Sequence, residues 1–97
     1  MHYEVAFVVE GYVSDEDAYL GETLECNGFY KENGTLYLKD GRAYYDVEAM
    51  SAQEAYEKGR SYFEADDFGE LEILDTSLEH VSLGDTYWYP EDLKNVL

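Results

Sequence analysis

Apolar side chains recur at every second position of HYEVAFVVEGYV, at Tyr3, Val5, Phe7 and Val9, with Glu4 and Glu10 on the other parity. That is the period of a strand with one face turned to a core. Ala6 and Val8 are apolar as well, so both faces of the middle are apolar and the strand is expected inside a sheet, not at its edge. In SDED, at 14 to 17, Ser14 is an N-cap with Asp17 three residues on, which predicts a single helical turn before Gly21.

From 23 to 49 the pattern is that of an antiparallel meander: TLECNGFYKE, the turn Asn33-Gly34, TLYL, the turn Lys39-Asp40-Gly41, then RAYYDVEAM. Asn-Gly between alternating apolar runs is a strong hairpin signal, because both residues tolerate positive φ. Tyr30, Leu36, Leu38, Tyr44 and Val47 are the candidates for contacts within the paired strands. Cys26 reads as a half-buried strand residue.

The period then changes. Ser51 and Glu54 form a capping box, and Ala52, Ala55, Tyr56, Gly59, Tyr62 and Phe63 follow at three- and four-residue spacing, which predicts a helix with an apolar stripe. Gly59 costs about 1 kcal/mol against alanine inside a helix, so a strand is expected to approach the backbone closely there. Asp66, Asp67 and Gly69 end the helix, GELEILD reads as one strand and SLEHVSL as a second. In GELEILD, Glu70 and Glu72 share one parity. Pro90, followed by Glu91 and Asp92, predicts a short closing helix. Tyr87, Trp88 and Tyr89 before it are either a lid over the core or an exposed aromatic patch.

These elements amount to one α+β domain over residues 1–97: an antiparallel sheet of about four to six strands, one main helix packed on it and a short C-terminal helix. Leu, Ile, Val and Phe make up 22 of the 97 residues, above the one-fifth level below which charged chains stay disordered. Eleven tyrosines and Trp88 add buriable area.

Charge changes the picture more than composition does. The chain has 23 acidic residues against six lysines and arginines, a formal net charge of −17. No basic stripe exists to meet phosphates, so direct binding to nucleic acid or to anionic membranes is opposed. Cys26 has no partner for an internal disulfide, and MHYEVAFVVEGYV has neither a basic leader nor a long apolar core. A cytoplasmic protein is therefore expected. His2 and His80 have no ligand-spaced neighbours, and paired carboxylates would need a pocket that a small, charged domain has little volume for. No cofactor, no metal and no enzymatic activity are expected.

The acids are concentrated. EADDFGELEILD carries Glu64, Asp66, Asp67, Glu70, Glu72 and Asp75 with no basic residue among them, and Asp15, Glu16 and Asp17 form a second group. Solubility and salt adaptation are two ordinary explanations of acidity, but a magnitude of about 2–8 suffices to keep a small domain soluble. A sharper reading makes the nine acids a partner-binding surface whose carboxylates stand in for phosphates. Arginine forks donate bidentately to either, and neighbouring tyrosines supply rigid contact area. Tyr12 beside Glu10 and Asp15, Tyr19 beside Asp17 and Glu22, and Tyr56 beside Glu54 and Glu57 interleave in that way.

The size, the charge, the tyrosines and the segment AYYDVEAMSAQEAYEKGRSYFEADDFGELEIL resemble small acidic proteins of phages and mobile elements, the anti-CRISPR and antirestriction proteins that mimic DNA. The likeness covers mainly residues 43 to 75, and these inhibitors share no motif that assigns a role to a residue. It implies a stoichiometric inhibitor of a basic nucleic-acid-binding protein or complex, such as a CRISPR effector, in the host cytoplasm. The alternative is a phage or bacterial interaction module whose acidity serves only solubility and whose partner meets the Tyr87-Trp88-Tyr89 patch.

Overall fold

The structure, a computed structural model, describes residues 1–96. The alternating segment forms β1 (His2–Val13), and its odd residues Tyr3, Val5, Phe7 and Val9 are all buried. β1 is central, as its two apolar faces predict. On one side it pairs with β3 (Thr35–Lys39) and β4 (Gly41–Glu48), and on the other with β5 (Glu72–Leu83). β2 (Gly28–Glu32) lies outside β3, and β6 (Thr86–Trp88) outside β5, completing a six-stranded antiparallel sheet. Two twelve-residue strands at about 3.3 Å per residue span roughly 40 Å, which accounts for overall dimensions of 45 × 23 × 23 Å.

The Asn33-Gly34 hairpin joins β2 to β3, with both residues at positive φ (52° and 82°) and Glu32 opposite Thr35. The second expected turn is different. β3 and β4 do not pair with each other but follow one another along the same side of β1, Val9 opposite Gly41 and Tyr12 opposite Tyr37. Three steps on β1 thus match four on its neighbour, so Asp40, at φ 53°, is a bulge in one long ribbon. Local chemistry is the same for a turn and for a bulge, and the partner strand decides between them. Cys26 is half-buried but lies between a single bridge at Glu25 and the start of β2, outside any strand.

GELEILD and SLEHVSL are likewise halves of one strand, β5. No residue from Asp75 to Ser77 takes positive φ, and these residues continue the ladder opposite Glu10, Val9 and Val8. The register slips once on each side of that stretch, leaving Leu74 and Glu79 without a partner on β1. Glu70 therefore does not share a strand face with Glu72, because it lies in the turn before β5.

The helix α1 (Ala52–Ala65) starts at Ser51, whose hydroxyl accepts the Glu54 N–H at 3.1 Å. Ala52, Ala55, Tyr56, Gly59 and Phe63 are buried. At Gly59 a Cβ would sit 2.7–2.8 Å from three Val5 side-chain atoms, the close approach that its cost predicts. The Phe63 ring stacks on Phe7 at 4.4 Å, nearly parallel, with Tyr45 and Phe68 at its edges. Tyr62 departs from the expected stripe: it is 53% exposed, since about 100° separates it from Phe63 around the helix and only one of the two can point inward.

Two expected helical pieces are smaller than predicted. At SDED there is only a turn, closed by Ala18 N–H to the Asp15 carbonyl, with the Asp15 carboxylate accepting the Asp17 N–H; this local bond competes with helix. The C-terminal helix is one 3-10 turn, Pro90–Asp92. The Gln53 side chain brackets the Lys94 backbone, accepting its N–H at 2.9 Å and donating to its carbonyl at 3.0 Å, which removes the groups that a further helical turn would use. Trp88 is a lid, half-buried with its ring 5.9 Å from Tyr3, whereas Tyr87 and Tyr89 are exposed. No described helix is long and apolar enough to cross a membrane.

Candidate functional site

The nine acids fall into two kinds. Five do internal work. Glu64 holds Arg60 one helical turn back at 2.8 Å. Asp66 accepts the Tyr45 hydroxyl at 2.7 Å and the Asp67 N–H at 2.8 Å. Asp67 accepts the Gly69 N–H at 2.8 Å, forming the turn in which Gly69 sits at φ 60°. Glu70 reaches across to the Tyr19 N–H at 2.9 Å, while its own N–H donates to the Tyr19 carbonyl at 2.7 Å. Asp15 caps its own turn. Glu16, Asp17, Glu72 and Asp75 are exposed and have no side-chain hydrogen bond or ion pair among the described residues.

The bonds between Tyr19 and Glu70 join the loop after β1 to the turn before β5, so both acidic groups lie at one end of the sheet. The approach is close: a Cβ on Gly69 would fall 2.1 Å from the Tyr19 carbonyl oxygen. Partial burial works to raise the Asp66 pKa, but hydrogen bonds from Tyr45, Thr23 and the Asp67 N–H outweigh it and hold this carboxyl below the ordinary carboxylate range. Burial, then the Asp66 bond, pushes the Tyr45 phenol well above the ordinary tyrosine value. Asp66 is thus a structural anion that ties β4 to the end of α1.

α1 covers only one face of the sheet. The even residues of β1 lie on the other, where Glu10 stands opposite Asp75, and Tyr12 opposite Glu72 and Tyr37. Tyr37 in turn stands opposite Tyr30, with the two rings stacked at 5.5 Å and the Tyr12 ring 6.3 Å further along. Tyr30, Tyr37 and Tyr12 thus lead across four strands to Glu72. Beside them runs a groove of about 460 Å³ lined by Val8, Glu10, Tyr30, Tyr37, Arg42 and Leu74. Glu10, Tyr30 and Tyr37 lie outside the nine acids. The Asn-Gly turn already dictates that Tyr30 faces Tyr37, but nothing local tells which strand β3 joins next.

Basic side chains are scarce here. Two cations line the groove, Arg42, held by Glu79 at 2.6 Å, and the exposed Lys39. On α1 Lys58 is held by Glu54 and Arg60 by Glu64, and from residue 61 to residue 93 there is no lysine or arginine at all. Chemically, the surface offers free carboxylates beside rigid phenol rings, which suits guanidinium and ammonium groups. No protein family, curated protein or solved structure matches the chain.

Proposed function

We propose that this chain is an acidic inhibitor that occupies the nucleic-acid groove of a basic protein in place of DNA, for example where a CRISPR effector recognises its target. The observation that carries the reading is the set of free carboxylates Glu10, Glu72 and Asp75 beside Tyr12, Tyr37 and Tyr30 on the uncovered face, with Glu16 and Asp17 free in the loop after β1. They outnumber the two cations of the neighbouring groove, Lys39 and the Glu79-paired Arg42. The dimensions agree with it. A duplex as long as the 45 Å axis carries about 26 phosphate charges, at one per roughly 1.7 Å, so −17 on a body of that length is of the same order. Carboxylates held on strands meet arginine forks without the entropy loss of a flexible acidic tail.

The test is capture of proteins from a bacterial lysate on the immobilised chain at low salt. Wild type should retain a nucleic-acid-binding protein that added duplex DNA elutes, and the Glu72→Lys/Asp75→Lys variant should fail to retain it. These two acids have no internal partner, whereas a change at Glu70 would also release the Tyr19 loop. Retention that neither DNA nor the variant alters would remove the mimic reading. A contact through Tyr87 and Tyr89, which are exposed and stack at 6.4 Å, would instead persist at high salt.

A further inference from the structure

The two edges of the sheet are finished differently. On one side β2, five residues long with the exposed Lys31 and Glu32 and a tight hairpin, lies outside β3. Outside β4 only the Glu25–Arg42 bridge covers its start, so among the described residues Ala43–Glu48 also lack an outer strand, with the Lys58 ammonium donating to the Glu48 carbonyl at 2.7 Å at the far end. At the other edge β6 covers only Val81–Leu83. That leaves β5 from Glu72 to His80 with no strand on its outer side, and no loop backbone hydrogen-bonds to it among the described residues. Nine residues is longer than the commonest strand, of about five or six. The slips at Leu74 and Glu79 bend its ends and confine the regular register to Asp75–Leu78.

The charge on this edge decides what can join it. Glu72, Asp75 and Glu79 lie along it, and no lysine caps it. A second copy would set acid against acid between chains of −17 each, which opposes self-pairing. A strand with lysine or arginine at alternate positions meets the opposite sign, and Ile73 and Leu74, 46% and 61% exposed, give it apolar contact. We propose that the outer edge of β5, centred on Asp75–Leu78, takes up an extended cationic segment of a partner protein by main-chain hydrogen bonding, lengthening the sheet by one strand. This deepens the inhibitor reading and rests on it for the sign of the partner's charge. It adds that recognition runs through the backbone as well as through carboxylates.

The probe is a blocked seven-residue peptide alternating lysine with valine and threonine. Its controls are the same peptide with alternate backbone nitrogens methylated and one with glutamate for lysine. At saturating lysine peptide, amide hydrogen exchange of residues 72–80 should slow by about tenfold or more, and both controls should bind at least about tenfold more weakly. Equal binding by the methylated peptide, with exchange at 72–80 unchanged, overturns the edge proposal and leaves the electrostatic reading standing. Binding of neither peptide, or equal binding of the glutamate peptide, also overturns it. Protection at 72–80 together with failure of DNA to compete in the lysate assay sinks the mimic reading alone.

Discussion

Along β1, the odd residues Val5 and Phe7 are sealed under Gly59 and Phe63 of α1, while the even residues Val8, Glu10 and Tyr12 range from half-buried to exposed on a face that no helix covers. The same strand therefore meets water in two ways. One face is dried by a separate element packed at van der Waals distance. The other is shaded by its own tyrosines, whose rings cover neighbouring small residues while their hydroxyls stay in water. Ala6 shows how far such shading goes: it is fully buried on the uncovered face, with Tyr44 and His80 opposite it on the two flanking strands. The covered face should tolerate almost no change and the uncovered face a great deal, which leaves the latter free to carry charge.

Four substitutions test that contrast. Phe63→Ala removes the ring stacked on Phe7 and should cost about 3–5 kcal/mol in urea unfolding, enough to unfold much of a small domain. Gly59→Ala should destabilise by about 1–3 kcal/mol, because the new methyl overlaps the stiff Val5 side chain. At an exposed helix site the same change would stabilise by about 1 kcal/mol, so the sign alone reports the covered face. Tyr45→Phe should cost about 1–2 kcal/mol at neutral pH through the lost bond to Asp66. The folded Asp66 pKa lies below its unfolded value, so its contribution is complete above the unfolded value of about 4 and fades as pH falls below it. The gap between Tyr45→Phe and wild type should therefore close in acid, as followed by thermal melts. Tyr62→Ala, on the solvent side of α1, should change stability by no more than about 0.5 kcal/mol. A loss as large as that of Phe63→Ala would mean that the helix is rotated from the placement described.

How much of this was legible beforehand depends on how local each signal is. The alternation of β1, the Ser51 cap, the close approach at Gly59 and the Asn33-Gly34 hairpin rest on neighbours within a few residues, and each was readable. Lys39-Asp40-Gly41 reads locally as a turn and GELEILD and SLEHVSL as separate strands, but both places are continuous ribbon, since their role is set by β1, some thirty to seventy residues away. The acidic clusters were visible as charge. What could not be read was the division of labour within them, because Glu70 as an anchor for Tyr19 and Asp66 as an acceptor for Tyr45 are contacts across 51 and 21 residues. The row from Tyr30 to Tyr12 was half available, its hairpin pair local and its continuation not.

The position of β1 also bears on how the chain is made. Glu4 pairs with Asp46 on one side and with Ser82 on the other. At about 5–20 residues per second, the ribosome delivers the second partner roughly 4–16 s after the strand itself. During that interval the ribbon of β3 and β4 can dock along one side, but the other side of VAFVV, apolar on both faces, stays unpaired. Pairing over such separations is also slow compared with helix formation, taking milliseconds to seconds in sheet-rich domains. An unfinished apolar strand in a crowded polysome is a hazard, and like charge is the simplest deterrent to two such strands meeting. The acidity that shapes the finished surface thus protects the unfinished one, because nascent copies repel each other until β5 arrives to close the gap.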